Sequence, residues 1–310
     1  MKKRNSHITV FLVLVSTCLS AQVNRALIVA ISDYPAESGW EKIHAVNDCK
    51  LIIPMLKANG YKDADIKILT DKKATKAQIV KELQNLATRI RLDDCIYIHL
   101  SGHGQQMADD NGDEEDGLDE AFIPYDANFR YKPGLYEGEN HLRDDELELL
   151  IDAIRRSAGE NGNVMVVIDA CHSGTGTRLP EDDEYIRGTS YIFAPTNFSA
   201  AATSTDNFRF ELNKGAGLAP ITVFSACQPE EVNYEYKTGN PGAFYGRLTY
   251  FFCQAVMEQS DSETNLAFYI RLENKMKMSF EKKNRKQTPY FESVNVENKF
   301  IISHSHEKTK

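Results

Sequence analysis

Residues 95–104 read CIYIHLSGHG and residues 164–174 read VMVVIDACHSG. Each is an apolar run, dominated by Ile, Val and Leu, that stops in a small, polar, glycine-flanked segment. A run with no polar alternation fits a strand covered on both faces, and such strands belong to parallel sheets with helices above and below. Residues 25–32, RALIVAIS, carry the same signature, and Ile66–Thr70 and Ile221–Ala226 read as further strands. Between them the period is helical. Asn47–Asn59 reads as a helix that Pro54 must kink or begin. Thr75-Lys76-Ala77-Gln78 is a capping box ahead of Ile79, Leu83, Leu86 and Ile90 on one face. Asp144-Asp145-Glu146 opens another helix, with Leu147, Leu150, Ile151 and Ile154 inward. Strand and helix in alternation predict an α/β fold with a mostly parallel central sheet.

The chain has 310 residues, 42% of them hydrophobic and 26% charged, which excludes collagen-like, low-complexity and wholly disordered classes. Lys2, Lys3 and Arg4, the apolar run Ile8–Leu19 and Leu19-Ser20-Ala21 before Gln22 read as a signal peptide over residues 1–21, so the chain is expected to be exported, to the periplasm or beyond. The apolar run is too short to span a bilayer. Thr17 ahead of Cys18 makes lipidation the weaker alternative. The net charge of −9 grows more negative when those three bases leave, which repels nucleic acid and anionic lipid. The one basic cluster, Lys275 to Lys286, reads as the solvated face of a helix carrying Tyr269, Leu272, Met276 and Phe280 inward. Cys49, Cys95, Cys171, Cys227 and Cys253 are odd in number and scattered, unlike a disulfide framework, and no zinc spacing is present.

The chemistry sits at the two strand ends. Parallel sheets bind and react at the carboxyl ends of their strands. If the two strands are neighbours, His103 and Cys171 emerge together, as the nucleophile and base of a cysteine hydrolase. His99 and His172 read as satisfied structural histidines. Residues 175–219 lack any sustained period and read as one exposed loop interrupting the sheet.

The segments Ser101-Gly-His-Gly and Asp169-Ala-Cys-His-Ser-Gly resemble the two signature motifs of metacaspases of bacterial type, the caspase-like cysteine peptidases. Asn47-Asp48, the Gly-Asp-Glu-Glu-Asp-Gly loop, Gly242-Ala-Phe and Gln287-Thr-Pro extend the likeness from about Arg25 to Val294. It implies a caspase-like three-layer sandwich with a sheet of about six strands. It also implies a single peptidase domain over 22–310: a large-subunit-like part (22–174), the loop (175–219) and a small-subunit-like part (220–302). Cys171 would be the nucleophile and His103 the acid–base partner, a dyad with no third orienting residue in evidence. The amides of Gly104 and Cys171 would form the oxyanion hole, and Asp48, Asp169 and Ser101 an acidic specificity pocket. The position often held by a second cysteine is Ala45 here. The likeness also leans towards a monomer.

A physical argument supports the pocket. Asp169 stands two residues before Cys171, so alternation puts both side chains on one side of the strand. A carboxylate so near a thiolate raises the thiol pKa unless a cation lies between, and a substrate Arg or Lys could be that cation. The expected activity is therefore endopeptidase cleavage after Arg or Lys in peptide or protein substrates. Arg178, Arg187, Arg209 and Lys214 lie in the interrupting loop as candidate self-processing sites. Residues 109–120, DDNGDEEDGLDE, hold eight acids and no base, a composition suited to a hard cation such as calcium. The resemblance points to Asp119, Asp144 and Asp145 as its ligands, while a further family ligand is replaced by Arg178. No organic cofactor is expected. The alternatives are a gingipain- or legumain-like peptidase of other specificity, and a non-catalytic calcium-binding module on the same fold.

Overall fold

The computed structural model describes residues 22–112, 114, 116–172, 185–199, 212–228, 231–239, 243–279 and 286–303. The expected signal peptide with Cys18, together with Arg178, Arg209, Gly242 and Phe280, lies outside the described residues. The chain order is β1 (Asn24–Ala30), α1 (Cys49–Ala58), β2 (Ile66–Thr70), α2 (Lys76–Arg89), β3 (Cys95–Ser101), β4 (Gly104–Ala108), β5 (Leu118–Phe122) and β6 (Leu142–Arg143). It continues with α3 (Asp144–Ala158), β7 (Asn163–Asp169), β8 (Ile221–Ser225), β9 (Glu235–Lys237), β10 (Phe244–Gly246), α4 (Arg247–Met257), α5 (Asn265–Met278) and β11 (Tyr290–Ser293). The central sheet has six strands in the order β11-β8-β7-β3-β1-β2. All its pairings are parallel except the edge pair of β11 with β8.

Alternation along these strands builds the three layers. Leu27, Val29, Ile96, Ile98, Val164, Val166 and Val223 face Ile79 and Leu83 of α2 and Leu147, Ile151 and Ile154 of α3. Ala26, Ile28, Tyr97, Met165, Val167 and Phe224 face the other way, onto Ile52 of α1, Leu248 and Phe252 of α4, and Phe268 and Leu272 of α5. The expected cap forms, Thr75 Oγ1 accepting from the Gln78 amide at 3.3 Å. Pro54 neither starts α1 nor ends it. It lies on the exposed side of the helix, where water can serve the carbonyl that its missing N–H leaves unbonded. No helix among the described residues is long and apolar enough to cross a membrane.

Two small antiparallel sheets stand apart from the central one, with no periodic pattern in the sequence to announce them. One joins β4, β5 and β6, and the other pairs β9 with β10. They take up the segments that follow His103 and surround Asp48. The expectation of an exposed loop over 175–219 needs correction where it is described. Phe193 is buried against Met107, Ala121 and Tyr136, and its backbone bonds to Gln106 and Ala108 add it to the edge of β4. Arg187 is 0% exposed. Apolar and ion-pairing side chains pull these stretches inward although no secondary-structure period marks them.

Candidate active site

Strands β3 and β7 pair Ser101 with Asp169, and the Gly102 amide donates to the Asp169 carbonyl at 3.3 Å just beyond. His103 and Cys171 each follow two residues later, so both leave the sheet at the same point on its carboxyl edge. Gly104 sits against the Cys171 backbone so closely that a Cβ there would lie 2.8 Å from the Cys171 carbonyl oxygen. Glycine is needed here for close approach.

The His103 ring is buried, stacked on Trp40 with centroids 4.9 Å apart. Its Nε2 lies 2.9 Å from the Glu41 carbonyl oxygen. A carbonyl can only accept, so Nε2 carries the hydrogen and Nδ1 keeps its lone pair. That Nδ1 is buried without a hydrogen-bond partner. Burial lowers the imidazole pKa to about 4, so the ring is neutral over the physiological range. The Glu41 carbonyl is an orienting group of the kind the sequence did not disclose, because a backbone oxygen has no residue signature.

The Cys171 thiol is buried, 2.9 Å from the Cys227 sulfur and 3.5 Å from the Glu231 carbonyl oxygen. Burial, then the hydrogen bond and charge of Cys171, push the Cys227 thiol well above its ordinary pKa, so Cys227 stays protonated. Two cysteines that are far apart in sequence are thus neighbours. None of the five cysteines among the described residues forms a disulfide.

Asp48, Ser101 and Asp169 converge with no exposure to solvent. Ser101 donates to Asp48 Oδ2, and the Gly246 amide donates to Asp48 Oδ1 at 2.8 Å. Asp169 accepts from Asn233 Nδ2 at 2.9 Å and from the amide and hydroxyl of Thr249 at 2.8 and 2.6 Å. The Thr249 hydroxyl, having given its proton to Asp169, accepts from His99 Nε2 at 3.0 Å, while His99 Nδ1 accepts from the Tyr97 hydroxyl at 2.8 Å. Burial lowers His99 to a pKa of about 3, in keeping with a neutral relay. His99 therefore helps to fix an acid of the pocket, and His172, 3.9 Å from Glu120, lies elsewhere. Burial lifts Asp48 to a pKa of about 6, against the pull of Arg187 and with reinforcement from Asp169.

The pocket is filled by the chain itself. Arg187 Nη1 donates to Asp48 Oδ2 and to Ser101 Oγ, both at 2.7 Å, and lies 3.7 Å from Asp169 Oδ2. The other edge of the guanidinium, Nε and Nη2, meets Glu235 Oε1 at 3.1 and 3.0 Å. Burial alone would lower the Arg187 pKa, but Asp48, Asp169 and Glu235 together raise it. The Arg187 carbonyl oxygen accepts from the Cys171 amide at 2.9 Å, unaccompanied by a bond from Gly104. The Arg187 amide donates to the Asn233 carbonyl and the Glu235 amide to the Tyr185 carbonyl, both at 2.9 Å, an antiparallel pairing of 185–187 with 233–235. Glu235, Asn233 and Gly246 come from short segments without a period, and Thr249 lies in the first turn of α4, where the helical pattern does not mark it as a pocket residue.

The acidic loop assembles differently from expectation. Carboxylate oxygens of Asp109, Asp110 and Asp119 lie within 4.8 Å of one another, and among the described residues this is the cluster that could hold a metal ion. Asp144 and Asp145 do not join it. Asp145 is held by Asn111 Nδ2 at 2.8 Å, and Asp144 Oδ1 caps the Asp145 amide at 3.1 Å. The guanidinium of Arg143 pairs with Asp119 and, at 3.1 Å, with Asp110.

Comparison with known proteins agrees with this architecture. The Caspase domain family of peptidases matches residues 23–301. Metacaspase-3 of Arabidopsis thaliana is 31% identical over 240 residues, 72% of this chain and 62% of that protein. Metacaspase-1A of Neurospora crassa is 31% identical over 164 residues, 51% of this chain and 33% of its own. The chain thus spans between about a third and 62% of the length of these two relatives. Among solved structures, a Geobacter sulfurreducens protein superposes with a TM-score of 0.58 at 21% identity, over 87% of this chain and 93% of its own. Caspase-1 of Spodoptera frugiperda does so at 0.55 and 13%, over 87% and 86%. With a six-stranded caspase-like sheet and a family match over nearly its whole described length, the chain belongs to the caspase-domain family of cysteine peptidases.

Proposed function

We propose that the chain is a metacaspase-type cysteine endopeptidase that cleaves after Arg or Lys and processes itself after Arg187. The observation that carries this reading is the pose of Arg187: its guanidinium sits among carboxylates, its carbonyl faces the Cys171 amide, and its strand pairs with 233–235 as a bound peptide would. This pose supports reading the internal segment as a substrate of its own site.

In the proposed reaction the Cys171 sulfur bonds to the carbonyl carbon of the basic residue. His103 takes the thiol proton at Nδ1 and passes it to the departing amine as the C–N bond breaks. The Cys171 amide, with that of Gly104 once the carbonyl turns tetrahedral, stabilises the oxyanion. Water then cleaves the thioester, releasing the new carboxyl terminus and restoring the thiol. The Glu41 carbonyl holds the imidazole in the tautomer this sequence needs. For self-processing, the bond broken is Arg187–Gly188.

Calcium stimulation is part of the same proposal. The donors suit a hard cation, with Asp109, Asp110 and Asp119 supplying carboxylate oxygens and Arg143 as the internal cation to be displaced. A bound ion would neutralise charge at β5, whose continuation donates from the Ile123 amide to the His103 carbonyl at 3.0 Å. Export as a monomer is the companion expectation for the segment 1–21 and the mature chain.

The test is turnover of matched Arg, Lys and Asp fluorogenic peptides, with calcium and with chelator, beside a Cys171→Ala control. Arg and Lys turnover lost in the control supports the reading. Preference for Asp or Asn would favour a legumain-like peptidase. Absence of turnover from well-folded, calcium-loaded protein would favour the non-catalytic module.

A further inference from the structure

We propose that Glu235 is a specificity-determining residue that makes the pocket select arginine over lysine. This rests on the reading that the acidic pocket receives the residue preceding the scissile bond.

The guanidinium of Arg187 is gripped along two edges. Nη1 serves Asp48 and Ser101, while Nε and Nη2 together face a single Glu235 oxygen. Only a guanidinium presents N–H groups in both directions at once. An ammonium ends in a compact point charge on a stem about one bond shorter, so it serves Asp48 or Glu235 but not both. The side chains of Asp48, Asp169 and Glu235 are all 0% exposed in this pocket. A buried carboxylate left without its partner costs far more than one in water. Glu235 therefore penalises lysine as well as rewarding arginine.

Glu235 is also placed in advance of any ligand. The His44 amide donates to Oε1 at 2.8 Å and His44 Nδ1 lies 2.7 Å from Oε2. The His44 ring is itself wedged between Tyr185 and Phe244. Burial would raise the Glu235 pKa, yet Arg187 and His44 hold it below the usual carboxylate range. The acid is thus ionised and aimed, and its own amide binds the carbonyl of Tyr185, two residues before the arginine. One residue reads both the backbone and the side chain of the segment in the site.

The experiment measures kcat/KM for matched Arg and Lys peptides with wild-type protein and with Glu235→Gln, and labelling of Cys171 by iodoacetamide serves as a check on the folded site. Wild type is expected to favour Arg by about tenfold or more, and the ratio to fall towards one in Glu235→Gln, chiefly through loss on the Arg peptide. Competition of wild-type turnover by agmatine against cadaverine needs no variant, and agmatine is expected to bind about tenfold more tightly. Equal use of Arg and Lys by wild type, or an unchanged ratio in the variant, overturns the role of Glu235 while leaving the basic pocket standing. Cleavage of neither basic peptide, with turnover of another, overturns the pocket reading and this inference with it.

Discussion

The carbonyl oxygen of Arg187 accepts the amide hydrogen of Cys171 at 2.9 Å, while the guanidinium of the same residue reaches Asp48 at 2.7 Å. One arginine therefore spans the distance from the proposed oxyanion donor to the cation pocket. In the proposed self-processing, binding of the side chain and alignment of the carbonyl would be a single event, which is how an enzyme converts remote binding energy into positioning.

If that alignment is productive, wild-type protein incubated with calcium should yield a fragment whose N-terminus is Gly188. Cys171→Ala should remain one chain, fold normally and lose peptide turnover by about 10⁴-fold or more. Intact mass and N-terminal sequencing read the first outcome, and circular dichroism beside an activity assay reads the second. Cleavage at Gly188 in the Cys171→Ala protein would mean that another peptidase cuts there.

Arg187 also compensates the buried acids it touches. Removing one partner of a buried ion pair typically costs about 3–5 kcal/mol, because the remaining charges stay behind. Arg187→Ala is therefore expected to stay a single chain at this site and to unfold at a lower temperature than Cys171→Ala. Added agmatine should restore much of the loss by binding the vacated pocket. A melting curve that ignores agmatine would show that Arg187 is held by something other than the cation site.

Gly246 tests the same pocket by steric means. Its φ of −57° is ordinary, so conformational freedom is not why glycine stands there. A Cβ would instead collide with the Asp169 carboxylate and with Arg187 Nη1. Gly246→Ala should raise KM for basic peptides by about 10²-fold, with little change in iodoacetamide labelling of Cys171. Equal losses in labelling and turnover would point to a collapsed site.

Much of this site could be read from the chain because its central pieces lie on regular elements. The strands ending at Ser101 and Asp169 are long apolar runs, and their register alone brings His103 beside Cys171. The rest came from what a linear pattern does not hold. Glu235 and Gly246 lie on three-residue strands too short for any period. Glu41 contributes a backbone carbonyl, to which its side-chain identity is irrelevant. The proposal of Arg187, among four basic residues in one stretch, rests on a pairing with 233–235 that only the folded chain reveals. Asp119 found Asp109 and Asp110 in place of Asp144 and Asp145, because the first turn of α3 is committed to Asn111 and to its own amide.

The pH dependence separates the pocket from the base. Burial pushes Asp48 to about 6 and drops His103 to about 4. A raised carboxyl is protonated first as the pH falls, so below about 6 the pocket loses a charge and holds basic side chains less well. The imidazole is still neutral there and still able to take the thiol proton. Consequently kcat/KM for Arg peptides should decline by about tenfold per unit below pH 6, while kcat holds until the pH approaches 4. Folding stability need not follow. The raised Asp48 contributes stability that is present at low pH and lost as the pH rises through about 6, and the lowered His103 contributes stability that is lost as the pH falls from 6.5 towards 4. These two contributions oppose each other, so the early decline belongs to substrate binding. In Asp48→Asn the limb near pH 6 should vanish from kcat/KM at a uniformly lower level. A wild-type profile in which kcat and kcat/KM fall together only near pH 4 would remove Asp48 from cation recognition.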